Sequence, residues 1–75
     1  MNKYPRIVAD PDHLHGAPRI DGTRIPVELI AAMVAGGTSV EEILTNYYPW
    51  ITAEDVKQAV EFWKENGHLY ERVED

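Results

Sequence analysis

Four residues able to bind a metal lie within six positions, Asp10, Asp12, His13 and His15. Asp-x-Asp followed by His-x-His offers carboxylate oxygens and imidazole nitrogens of the kind a divalent cation takes. A metal site, however, needs three or four ligands brought to one point and further groups that orient them. Pro11 stiffens the segment, His68 is the only other histidine, and the chain has no cysteine. A polar loop with solvated side chains accounts for the four residues, and no metal or cofactor is assigned. No phosphate-cradling glycine loop or serine nucleophile elbow occurs. Ser39 is the only serine, and it stands where a helix cap is needed. Glu41 and Glu42 fall in a first helical turn, where the helix dipole favours them. The residues supply no catalytic set, and the chain reads as a non-enzyme.

Cations suggest a second chemistry. Arg6, Arg19 and Arg24 lie on the N-terminal arm, and Lys57 and Lys64 lie on the third helix. Together they form the candidate DNA-contact set. An arm with arginines can reach DNA as β-ribbon readers do, while a third helix enters the major groove in homeodomain-like proteins. Yet that helix also carries Glu54, Asp55, Glu61 and Glu65, which leaves it at net −2. Specific DNA binding rests on several phosphate contacts by Lys or Arg, and no basic stripe is present. The alternative role for the three arginines is cross-strand or surface ion pairing. The whole chain carries net charge −6, and residues 38–75 hold all of it. An acidic half repels phosphate and favours a basic protein partner. It also keeps a small domain in solution.

Aromatic residues suggest a third chemistry. Six of the seven fall late in the chain: Tyr47, Tyr48, Trp50, Phe62, Trp63 and Tyr70. Trp63 belongs to a helical core stripe. Tyr48 and Trp50 flank Pro49 in a loop, and Phe62 sits one position off the stripe. These three exceed what so small a core can bury. Exposed aromatics favour an interface, and Tyr48, Trp50, Phe62, Leu69 and Tyr70 form the candidate partner-binding set. The competing reading is that they close the core around the turn between helices two and three.

The elements that must position these residues follow from periodicity and punctuation. With 75 residues, the chain reads as one domain. Residues 1–25 are a β arm and loop, 26–66 a trihelical unit, and 67–75 an acidic tail. Residues 1–4 read as a loose end, and Arg6-Ile7-Val8-Ala9 as a short strand. Asp21-Gly22 predicts a two-residue hairpin joining Arg19-Ile20 to Thr23-Arg24-Ile25. Ile7, Ile20 and Ile25 are expected to cover one side of the helical core.

Helix one starts near Pro26, runs to about Ala35 and buries Ile30, Met33 and Val34 at i, i+3, i+4 spacing. Gly36-Gly37 stops it. Helix two opens on the capping box Ser39-Val40-Glu41-Glu42, buries Val40, Ile43, Leu44 and Tyr47, and breaks at Pro49. Helix three is capped by Thr52 with Asp55 in the reciprocal position. Its stripe is Val56, Ala59, Val60 and Trp63, and Asn66-Gly67 ends it. Leu69, Tyr70 and Val73 are possible anchors for the tail. Each cap contributes about 1 kcal/mol. The expected class is mainly α, a three-helix helix-turn-helix bundle with a short N-terminal β-hairpin arm. No apolar run approaches the roughly 20 residues a membrane helix needs. The N-terminus lacks an apolar signal core, which predicts a cytoplasmic location. So small a chain without disulfides is often aided by oligomerisation.

The string Gly16-x-Pro18-x-Ile20-x-Gly22-Thr23-Arg24-Ile25-Pro26-Val27 resembles the prokaryotic family called domain of unknown function 433. Arg6-Ile7 with Asp10-Pro11, Gly36-Gly37 with Ser39-x-Glu41-Glu42-Ile43, Tyr47-Tyr48-Pro49, and Ile51-Thr52-x-Glu54-Asp55-Val56 also match. The likeness covers about residues 6–64. It implies a homeodomain-like trihelical fold with a short β arm. It further implies an antitoxin-like protein that silences a PIN-like ribonuclease toxin and represses its own operon as an oligomer. No catalytic residues carry over. The family often has Cys-Gly-Gly-Lys-Pro where this chain has Leu14-His15-Gly16-Ala17-Pro18.

Overall fold

The third helix has the strongest sequence determinants, and the rest of the chain packs around it. In the computed structural model, which describes residues 3–10 and 16–69, it spans Ala53–Asn66 (α3). Its first turn is closed from both sides. The Thr52 hydroxyl accepts from the Asp55 N–H at 3.1 Å, and the Asp55 carboxylate accepts from the Thr52 N–H at 3.0 Å. Val56 and Ala59 are buried, with Val60 and Trp63 half-buried beside them, so the expected stripe faces the core.

The first helix spans Val27–Ala35 (α1), with Pro26 as its N-cap. Val27, Ile30 and Ala31 are buried, and Met33 and Val34 pack against the core. Its end is a Schellman motif. Thr38 N–H reaches the Met33 carbonyl at 2.9 Å and Gly37 N–H reaches Val34 at 3.0 Å. Gly37 takes φ 101°, the left-handed conformation that glycine adopts at least cost.

The second helix departs from expectation. Its α-helical part is only Val40–Glu42 (α2), and the chain then widens into a π turn over Ile43–Tyr47. Ser39 Oγ accepts from Glu42 N–H at 3.0 Å as a cap should. Ile43 is fully buried and Leu44 packs against the core, but Val40 and Tyr47 are exposed, not buried as their spacing suggested. An α period assigns a face by 100° steps, and the extra residue of a π turn breaks that count for Tyr47; Val40 lies before the turn, at the exposed start of α2.

The arm also differs from its sequence reading. Ile7–Val8 (β1) pairs antiparallel with Arg19–Ile20 (β2), Ile7 opposite Ile20 and Val8 opposite Arg19. Asp21-Gly22 does turn the chain, with Gly22 at φ 79° and Thr23 N–H on the Ile20 carbonyl. It does not create a strand at Thr23–Ile25. Only Ile20 N–H to the Ile25 carbonyl and an isolated Arg19–Pro26 bridge follow it. The Thr23 hydroxyl explains this, because it donates to the Ile20 carbonyl and accepts from the Ile25 N–H, capturing groups a ladder needs. Ile7, Ile20 and Ile25 are all buried, as expected.

Nor is the start of the chain a loose end at residues 3 and 4. Tyr4 is buried, its ring edge-on to Phe62 with centroids 5.5 Å apart, and Lys3 pairs with Glu65 at 2.8 Å. Among the described residues no helix is long and apolar enough to cross a membrane.

Candidate functional site

Trp50 is the most prominent feature of the surface that the elements build. Tyr48, Pro49, Trp50 and Ile51 form a turn closed by the Ile51 N–H on the Tyr48 carbonyl at 3.2 Å. Proline at the second position fixes φ and removes freedom from the loop. On one side the turn is tied down by buried Ile43, whose carbonyl takes the Tyr48 N–H at 2.8 Å across the π turn. On the other it is tied down by buried Ile51. Trp50 at the tip is 65% exposed, and its ring stands edge-on to Tyr48 at 5.8 Å. Tyr47 and Val40 are also exposed. The sequence offered the aromatics and Pro49 but no sign of the π turn that leaves Tyr47 outside.

The other members of the aromatic set separate. Tyr48 and Phe62 are half-buried and pack on the core, so they help close it. Leu69 is exposed in the 3₁₀ turn Gly67–Leu69 that follows α3, and does not anchor the tail. Tyr70 and Val73, with the rest of the acidic tail, lie outside the described residues, as do Asp12, His13 and His15. Among the described residues, no three His, Asp or Glu side chains gather as metal ligands would.

Of the five cations, Arg6 has a structural task. Its Nε lies 2.7 Å from Asp55 Oδ1, its Nη2 donates to the Asp21 carbonyl at 3.2 Å, and its backbone N–H donates to Gln58 Oε1 at 2.8 Å. These contacts are the ion-pair role that the sequence offered as the alternative to DNA contact. Burial pushes the Asp55 carboxyl up. The hydrogen bonds from Arg6 and Thr52, with the nearby Arg6 charge, outweigh it and hold the group below the usual carboxylate range. The same hydrogen bond and charge raise Arg6. Asp55 and Gln58 are buried polar residues that the apolar pattern could not show. Their signal in the sequence is three-residue spacing beside the stripe, which places both on the α3 edge that meets the arm.

The arm therefore covers part of α3. The face left exposed carries Lys57 and Lys64 against Glu54, Glu61 and Glu65, a net −1. Arg24 is exposed, while Arg19 is half-buried and its Nε donates to the Thr23 carbonyl at 3.1 Å.

Residues 7–63 match the model of the family described as "Protein of unknown function (DUF433)". The chain belongs to the DUF433 family. A crystal structure of a DUF433 member from Anabaena variabilis ATCC 29413 superposes with TM-score 0.76 at 36% identity, covering 85% of this chain and 62% of that one. The uncharacterized protein y4eO of Sinorhizobium fredii (strain NBRC 101917 / NGR234) is 43% identical over 53 residues, 71% of this chain. This chain spans about a quarter of the length of that relative, 24%. The stretch Gly22-Thr23-Arg24-Ile25-Pro26 within the matched region thus has a structural meaning. It is the turn that folds the arm back and starts α1, with Thr23 as its internal clamp.

Proposed function

We propose that this DUF433 protein is an antitoxin-like binding protein, without catalytic activity of its own, that docks on a protein partner through the Trp50 turn. The observation that carries the reading is a large aromatic ring held out at the tip of a stiff turn. Tryptophan dominates hot spots at protein interfaces, and a ring ordered before binding loses little entropy on docking. Tyr47 and Val40 are further exposed apolar residues on the segment that leads into the turn, and Glu41, Glu42 and Glu54 are exposed acids of the same stretch. That composition suits a basic partner with an apolar pocket. A PIN-like ribonuclease toxin, the partner implied by the family resemblance, fits that description through its cationic RNA groove.

A second reading is a DNA-binding regulator. It draws on Arg19, Arg24, Lys57 and Lys64, which have no ion-pair partner among the described residues. The −1 exposed face of α3, and the arm that covers another part of the helix, weigh against this reading. Salt separates the two. Promoter binding falls steeply with salt when several phosphates are contacted, whereas docking led by Trp50 does so weakly. Partner affinity of the wild type against Trp50→Ala tests the first reading, with circular dichroism confirming that the fold is kept.

A further inference from the structure

We propose that the turn from Arg19 to Arg24 is a binding site for a single phosphate group. Arg19, Gly22, Thr23 and Arg24 line an open cleft of about 370 Å³. The Arg19 guanidinium is fixed there by its Nε–H bond to the Thr23 carbonyl. Its Nη1 is buried without a hydrogen-bond partner. A buried donor left unmade costs free energy, so this guanidinium keeps donor capacity that no group of the described residues uses. Arg24 brings a second guanidinium to the same cleft, and no carboxylate lies within ion-pair distance of either arginine among the described residues. Asp21, the acid nearest in sequence, faces Arg6 at 3.8 Å. Gly22, with φ 79°, turns the backbone at the cleft wall, and the space around its Cα is open.

Two uncompensated cations match a phosphate dianion, whereas a carboxylate neutralises only one of them. The planar guanidinium fork suits a phosphate oxygen pair. The phosphate can belong to a free phosphate compound or to a nucleic-acid backbone. The site shares no residue with the Trp50 turn, so its failure leaves the partner-binding reading untouched.

The test is an NMR titration with inorganic phosphate at about pH 7.5, where the dianion dominates, at constant ionic strength. Saturable shifts at the Gly22 and Thr23 amides and the Arg19 Nε–H are expected. Arg24→Gln, an exposed substitution that spares the fold, weakens binding at least tenfold, and acetate at equal concentration gives little response. Absence of saturable shifts, equal response to acetate, or unchanged affinity in Arg24→Gln overturns the proposal. A short DNA duplex that competes for the same signals assigns the phosphate to nucleic acid. A mononucleotide that competes where the duplex does not assigns it to a small ligand.

Discussion

Asp55→Ala removes two interactions at once from the junction of arm and helix. The carboxylate accepts from Arg6 Nε at 2.7 Å and from the Thr52 N–H at 3.0 Å. A hydrogen bond between charged groups contributes about 1.5–3 kcal/mol and a neutral one about 0.5–1.5 kcal/mol. The Arg6 side chain is 43% exposed, so solvent screens the pair and the lower part of that range applies. The expected loss is about 2 kcal/mol, against about 4–11 kcal/mol for a domain of this length. At about 4–8 °C per kcal/mol, Tm falls by roughly 8–16 °C.

The pH dependence has a definite sign. The folded Asp55 carboxyl titrates below its unfolded value of about 3.9. Its stabilisation is therefore complete above that value and is lost as pH falls through the folded pKa. Arg6 stays charged throughout this window. In Asp55→Asn the deficit relative to wild type is largest near neutral pH and shrinks as pH falls below about 4. Urea melts followed by circular dichroism, with a double-mutant cycle against Arg6→Ala, measure both effects. A loss under about 0.5 kcal/mol, or a deficit that does not change with pH, refutes the assignment of Asp55 as the link between arm and helix.

Gly37→Ala forces a Cβ into a backbone at φ 101° and costs about 1 kcal/mol or more, read from the shift in melting midpoint. Gly67→Ala places a methyl 2.8 Å from Trp63 Cε2, so the ring must move. Destabilisation by about 1–3 kcal/mol with a changed Trp63 emission is expected, and an unchanged spectrum contradicts that contact. Trp50→Ala, by contrast, leaves the melting midpoint within about 2–4 °C of wild type, because an exposed ring adds little to folding. Thr23→Val keeps the volume but removes the hydroxyl clamp from the turn. A loss of about 1–2 kcal/mol and faster amide exchange at Ile25 are expected.

Helices one and three were legible because their stripes and caps point to the same answer. Val56, Ala59, Val60 and Trp63 recur at helical spacing behind a capping box, and the Gly36-Gly37 stop is a Schellman motif in the structure. Three features were not legible. The π turn at Ile43–Tyr47 leaves no mark in an apolar count, so Tyr47 was assigned to the wrong side; Val40, at the start of α2, is exposed as well. Asp21-Gly22 gave the turn but not the partner strand, since Ile7 and Ile20 meet across twelve intervening residues that no local pattern encodes. Arg6, Asp55 and Gln58 form a polar junction 49–52 residues apart in sequence. Charge alone marked Arg6 as a surface cation. Of the aromatic set, Trp50 was legible beside Pro49, while Phe62 turned inward because Tyr4, read as part of a loose end, supplies its packing partner.

The most direct test of the partner-binding account is the inhibition of a PIN-like ribonuclease, the partner class proposed above, by wild type and by Trp50→Ala. The account predicts that wild type inhibits at stoichiometric concentration. It predicts that Trp50→Ala, still folded, needs at least about tenfold more protein, as loss of a hot-spot tryptophan implies. Equal inhibition by both proteins, or none by wild type, contradicts it.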